Sequence, residues 1–282
     1  MNDALAVFES ESGIEVAVCL ASAMAREAAA RHHLRAGSGA VLGEALAGAV
    51  LVAAIEGARV DIQLECNGPL RGLLVDADGS GAVRGFVRVG DLESAGAGRF
   101  DPRPLLASKF DERAGVLSLL RAEEGRDSPH RAVFPFAGAN LGAALTFYLR
   151  NERAQGGEMA LEAVLAEESL VAGALLSGEA AHLGHALRRS ALYEAMLRAQ
   201  SAEGIARELA RTFALGEVRL RRELQPRFAC RCSRARLLRA LRTLGKAELR
   251  DMATKDGGAS VTCDFCAAAY RLEAAELLEL AR

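Results

Sequence analysis

Residues 230–266 read CRCSRARLLRALRTLGKAELRDMATKDGGASVTCDFC and hold four of the chain's six cysteines. They form a C-x-C pair, Cys230 and Cys232, and a C-x-x-C pair, Cys263 and Cys266, with 30 residues between. Two close pairs supply four soft thiolates that can converge on one tetrahedral ion, and zinc is the usual occupant. The single residue inside C-x-C limits how comfortably both sulfurs reach one metal. The surrounding pattern predicts a small module. Ser233 suits the N-cap of a helix over Arg234–Leu244, with Leu237, Leu238, Leu241 and Leu244 as its apolar stripe. Gly245 breaks that helix, and a second runs from Lys246 to Ala253. Asp256-Gly257-Gly258 is a turn signal, and Ser260-Val261-Thr262 leads as a strand into the second cysteine pair. Tyr270 and Leu272 continue the hairpin, and Ala274–Ala281 makes a last helix. A piece this small needs a metal to hold it together. Two readings of the cluster stay open at this point. A closed four-cysteine site is an inert staple, or it is a switch, because thiolates are also what oxidants attack and each pair is close enough to bridge.

The whole chain is 282 residues, room for one large domain or two, and 51% of it is hydrophobic, ample for a core. The net charge of −2 selects neither nucleic acid nor membrane as a partner. Asp3 and Glu9 stand where a secretory signal would carry basic residues, so the expected compartment is the reducing cytoplasm, where paired cysteines bind metal or do redox work. The most apolar window, Gly39–Ile55, contains Glu44 and several glycines and reads as a buried helix. Between Ser201 and Arg250 twelve arginines and one lysine face five glutamates. A basic zinc module can bind nucleic acid, with zinc purely structural, and this is the alternative function. It is not favoured, because Phe213, Phe228, Phe265 and Tyr270 do not interleave with the basic residues as a stacking platform requires.

Before the cluster, period and punctuation predict an α+β domain. Residues 4–8 and 14–18 read as strands about Ser12-Gly13, and Ala21–Leu34 as a helix ended near Gly37. A second helix covers Ala40–Ile55. Strict alternation at Val60, Ile62, Leu64 and Cys66 predicts a half-buried strand, followed by strands over Leu70–Val75 and Val83–Val89 in an antiparallel meander. Cys66 and Cys19 read as buried structural thiols. Gly90–Pro104 reads as loop, Gly115–Leu120 as a strand, and Asn140–Arg153 as a helix capped by Asn140. Met159–Leu165 and Leu170–Leu176 are compatible with strand or helix, and strands closing the first domain are favoured. Gly178–Phe213 is helical but interrupted by glycines, with Leu183, Leu187, Leu192, Met196 and Leu197 on one side and Ile205, Leu209 and Phe213 in a second piece. His182 and His185 share a turn and read as solvated residues rather than metal ligands. Val218–Leu224 reads as an edge strand or extended linker. No Ser/His/Asp constellation, phosphate loop or paired-carboxylate motif is visible, so the chain is not expected to be an enzyme.

At these residues the chain resembles the heat shock protein 33 family of redox-regulated holdase chaperones. The C-terminal motifs are Phe228-x-Cys230-x-Cys232-Ser233-Arg234, Leu244-Gly245, Glu248-Leu249, Asp256-Gly257-Gly258, Val261-x-Cys263-x-Phe265-Cys266 and Tyr270. Collinear N-terminal motifs are Arg31-His32, Asn67-Gly68-Pro69-Leu70, Arg84-Gly85-Phe86-Val87 and Ala172-Gly173-Ala174-Leu175-Leu176. The resemblance covers nearly the whole chain. It implies an N-terminal α+β chaperone domain with an antiparallel sheet and packed helices (1–177), a metastable helical linker (178–229) and a C-terminal four-cysteine zinc domain (230–282). It implies one zinc ion on Cys230, Cys232, Cys263 and Cys266 in a reduced, inactive state. Oxidation then gives Cys230–Cys232 and Cys263–Cys266 disulfides, releases zinc and unfolds the linker, so that unfolding client polypeptides are held without ATP. Partners implied are those clients, a second copy in an active homodimer, and ATP-dependent foldase chaperones downstream. Neither membrane nor nucleic acid is expected. The sequence departs from the family at Tyr148-Leu149-Arg150-Asn151-Glu152-Arg153, where relatives carry Tyr-Phe-x-x-Ser-Glu-Gln, and at Ala235 and Thr254-Lys255, where relatives are more acidic.

Overall fold

Alternating burial and turn chemistry build most of the first part of the chain. β1 (Ala4–Ser10) and β2 (Glu15–Leu20) form a hairpin, and β3 (Arg59–Cys66), β4 (Gly72–Ala77) and β5 (Ala82–Val87) form the expected antiparallel meander. Between them lie α1 (Ser22–His32) and α2 (Ala36–Glu56). β6 (Gly98–Arg99) and α3 (Arg103–Leu106) follow, then β7 (Arg113–Ala122), β8 (His130–Ala137) and α4 (Leu141–Glu152). β9 (Glu158–Leu165) and β10 (Leu170–Ser177) are strands, as favoured above. α5 (Arg189–Arg198), α6 (Ala202–Thr212), β11 (Val218–Leu224) and β12 (Arg227–Phe228) complete this unit. The computed structural model describes residues 2–94, 96–107, 113–123, 125, 128–137, 140–178, 187 and 189–282. The chain divides into two units, Met1–Ala229 and Cys230–Arg282.

Among the described residues the first unit holds two six-stranded sheets, ordered β11-β1-β2-β10-β9-β6 and β12-β5-β4-β3-β7-β8. The pairs are antiparallel except β12 with β5, which is parallel. α2 packs against β2, β9 and β10 of the first sheet and against β3, β4 and β5 of the second. A helix covered on two sides must be apolar all round, and α2 is: apart from Glu44, its buried residues from Gly37 to Ala53 are aliphatic, Gly or Ser. By length and composition it could cross a membrane, yet it lies almost wholly inside the fold. On the opposite face of the first sheet, α5 and α6 cover Phe8, Val16, Val18, Ala172, Ala174 and Leu176 with Leu192, Met196, Ile205 and Leu209.

Several expectations need correction. α1 does not end near Gly37. His33 adopts the left-handed C-cap conformation at φ +53°, and Gly37 already belongs to α2. Gly37 is needed for close approach instead, since a Cβ there would sit 2.7 Å from the Glu93 carbonyl oxygen. The loop Gly90–Pro104 contains β6, which pairs with β9, and the start of α3. β8 was not anticipated. Its Ala132, Phe134 and Phe136 are buried in alternation, and Pro135 is tolerated because β8 is an edge strand. Leu197 does not share the apolar face of α5, being 68% exposed, whereas Leu187, Leu192 and Met196 are buried. Leu183, His182 and His185 lie outside the described residues. Val218–Leu224 is an edge strand, paired with β1.

The second unit consists of α7 (Arg234–Arg242), α8 (Lys246–Lys255), the hairpin β13 (Gly258–Thr262) with β14 (Ala269–Glu273), and α9 (Ala274–Leu280). Its buried apolar core is Leu241, Leu249, Ala253, Leu272, Leu277 and Ala281. α7 stops at Arg242, two residues short of expectation, and Leu244 leaves the stripe with 52% exposure.

Candidate metal centre

The two cysteine pairs are presented by different local structures. Cys230 and Cys232 lie on extended chain just before α7, and Ser233 caps that helix by accepting a hydrogen bond from the Arg236 amide at 3.3 Å. Cys263 and Cys266 sit in the knuckle between β13 and β14. There the Cys263 amide donates to the Ala268 carbonyl at 2.9 Å, and the Ala267 amide donates to the Cys263 carbonyl at 2.8 Å. Ala267 takes a left-handed φ of +55° to close the turn.

The four sulfurs converge. Cys230 Sγ lies 3.8 Å from Cys263 Sγ, Cys232 Sγ lies 3.4 Å from Cys266 Sγ, and all four fall within 4.8 Å of one another. A tetrahedral zinc site with Zn–S of about 2.3 Å has S···S edges of about 3.8 Å, so the cluster has the dimensions of such a cage. The donor chemistry also fits. Burial pushes the Cys263 thiol up, and burial together with bonds to the neighbouring sulfurs pushes Cys266 up to about 12. A bound cation beside sulfurs this crowded favours their thiolate form, and an all-sulfur site of this size suits one. Backbone amides already point at the sulfurs. The Cys232 amide donates to Cys230 Sγ at 3.5 Å, and the Phe265 and Ala268 amides donate to Cys263 and Cys266. Cys266 is buried and the other three are partly exposed, so small oxidants can reach the cluster.

Tyr270 belongs to the site, although nothing in its spacing announced a role. It stands on β14 and its hydroxyl donates to Cys232 Sγ at 3.1 Å. That bond pushes the Tyr270 hydroxyl up to about 12. Outer partners of this kind stabilise the thiolate form of a ligand and blunt its reactivity. Tyr270→Phe should leave the fold intact and speed the loss of metal from the reduced protein under peroxide several-fold, read with a zinc indicator. An unchanged release rate removes Tyr270 from the site.

The basic excess near the cluster is partly structural. Arg234 pairs with Glu276 and donates to the Arg271 carbonyl, Arg236 donates to the Arg231 carbonyl, and Arg250 donates to the Ala281 carbonyl. Arg234 thereby ties α7 to α9, and Arg250 ties α8 to the end of α9. Cys19 and Cys66 belong to the first unit and are buried, as expected for structural thiols.

Comparison with known proteins agrees with this geometry. The family model for the Hsp33 protein matches residues 3–273. The 33 kDa chaperonin of a Synechocystis strain is 31% identical over 96% of this chain and 93% of its own length. That of Gloeobacter violaceus is 32% identical over 92% and 88%. The crystal structure of the 33 kDa chaperonin from Thermotoga maritima superposes with a TM-score of 0.79 over 100% of this chain and 98% of its own, at 23% identity, and so shares the fold. The fold is that of a chaperone family, and the four-cysteine cluster fits it. The chain belongs to the Hsp33 family.

Proposed function

We propose that this protein is an ATP-independent holdase of the cytoplasm whose four clustered cysteines form a redox switch, with residues 1–177 as chaperone domain, 178–229 as metastable linker and 230–282 as zinc-binding switch. The observation that carries the reading is the convergence of a C-x-C and a C-x-x-C pair within 4.8 Å, on a chain of a chaperone family. Cys230, Cys232, Cys263 and Cys266 hold the ion in the reduced state. Zinc, when bound, supplies the cross-link that a small core lacks.

Under peroxide, Cys230 and Cys232 give up two electrons and join, and so do Cys263 and Cys266. Each step takes one peroxide and two protons and yields two waters. Disulfide sulfurs are no longer thiolate donors, so the four cysteines would no longer hold zinc and the second unit would lose its tie. The linker then lets go. Departure of α5 and α6 uncovers an apolar sheet face that includes Phe8, Val16, Val18 and Leu176, which suits unfolding clients of varied sequence. The active form is a homodimer that passes clients to ATP-dependent foldases after reduction.

The test is zinc release under peroxide at about 40 °C, followed by light scattering with a thermally unfolding client. The expected result is near-stoichiometric zinc release together with new protection against aggregation. Zinc that stays bound, or leaves without protection appearing, overturns the switch.

A further inference from the structure

α5 is short, and one of its large apolar side chains, Leu197, faces solvent. Helices of this length are marginal by themselves, so something beyond propensity must hold it. Its first residue reaches into the core. Arg189 Nη1 lies 2.8 Å from Glu44 Oε1 in the middle of α2, and its Nη2 lies 2.9 Å from Glu162 Oε1 on β9 and 2.8 Å from the Phe100 carbonyl oxygen. Glu44 and Glu162 are 1% and 0% exposed. Arg99 on β6 grips the other oxygen of Glu162 at 2.9 Å, and its guanidinium lies 5.0 Å from the centre of the Tyr193 ring on α5. Among the described residues neither Glu44 Oε1 nor Arg189 Nη1 has a hydrogen-bond partner, so the ion pair between them is what compensates Glu44 Oε1. Burial pushes the Glu44 carboxyl up to about 8, and Arg189 is the largest influence pulling it back.

We propose that Arg189 is a positioning residue, a charge latch that holds α5 against the first sheet by engaging Glu44 and Glu162, and that its withdrawal is the step that frees the linker. The inference rests on the holdase reading for the meaning of that release, but the latch itself can be measured without it. A buried ion pair is an all-or-none fastener. Apolar packing loosens gradually, whereas a carboxylate stripped of its arginine in a dry site is strongly disfavoured. α5 therefore stays seated until the whole contact is given up at once, which suits a helix that must be silent in one state and absent in the other. Apolar side chains of the same volume would seat it with no such threshold.

The experiment uses the full chain, reduced and zinc-loaded, as Arg189→Met, Arg189→Lys and the double variant Arg189→Met with Glu44→Gln. Deuterium uptake is followed at residues 189–198, with α4 as internal control, beside zinc content and client aggregation without oxidant. Arg189→Met should raise exchange in α5 at least tenfold, leave α4 and the zinc content unchanged, and give protection without oxidant. Arg189→Lys should recover most of the parent's slow exchange. Adding Glu44→Gln to Arg189→Met should lower α5 exchange again, because it removes the buried carboxylate left without its arginine. Exchange in α5 within twofold of the parent overturns the latch, and so does a rise shared equally by α4. A tenfold rise confined to α5 with no client protection supports the latch and counts against the holdase reading.

Discussion

Chelating the metal from the reduced protein will abolish slow amide exchange throughout residues 230–282 while β1–β10 keep theirs. The physical reason is the size of the second unit's core. Four leucines and two alanines are its buried apolar residues. The order of such a piece depends on covalent or metal ties. Binding of a structural zinc ion contributes on the order of 10–16 kcal/mol in small four-ligand modules, so its loss exceeds anything that core can supply. The sheets of the first unit have their own core around α2 and have no need of the ion. Adding back zinc under reducing conditions should restore protection. Persistence of slow exchange in α7–α9 with zinc gone would show that the module folds on its own and that the ion is dispensable for its order.

Gly115→Ala should be among the most damaging single-atom insertions in the first unit. Gly115 opposes Cys66 in the β3–β7 ladder, where the register of β7 against β8 shifts. Its φ is +152°, and a Cβ there would lie 1.9 Å from the Glu65 carbonyl oxygen and 2.7 Å from Cys66 Cα. Both are backbone atoms held by the sheet, so no side chain can swing aside to relieve the clash. The ladder must open locally at a cost of roughly 3 kcal/mol, the upper end for overpacking. In a unit of this size that is a fall in Tm of about 6–12 °C. Gly125 is the control. Its φ is +87°, but among the described residues nothing lies within 4 Å of where a Cβ would stand, so Ala there pays only for backbone conformation, about 1 kcal/mol. Equal Tm shifts for the two variants would mean that close approach of β3 and β7 is not what requires glycine at 115.

Most elements were legible because their signals are local. Alternation at Val60–Cys66, the Asn140 cap and the all-round apolarity of the helix before Gly57 each report a fixed period or a specific hydrogen bond. The convergence of the four sulfurs followed from spacing, since two tight pairs in a small module leave few other arrangements. What stayed hidden depends on tertiary partners. Pro135 masks β8 as a strand because only sheet order shows that it lies at an edge. Gly37 reads as a helix stop until Leu92 and Glu93 are seen crossing it. Leu197 and Leu244 read as core because leucine at helical spacing does not reveal what lies opposite. Tyr270 and Arg189 carry no local signal of what they do. Their roles appear only when a hydroxyl is found against a sulfur and a guanidinium between two buried carboxylates.

β10 and β11 belong to one sheet, each a short step from the central hairpin, β10 beside β2 and β11 beside β1. The stretch between them, 178–217, therefore leaves that sheet and returns to it. If α5 and α6 come away while those strands remain paired, the freed chain is a loop fastened at both ends rather than a loose arm. Fastening both ends removes part of the freedom a loose arm would have, a closure cost that grows only slowly with loop length. The loop also keeps its own helices at high effective concentration over the face they have left. A client must then compete with an ever-present intramolecular rival, and release after reduction needs no search: the displaced segment is already waiting above its seat.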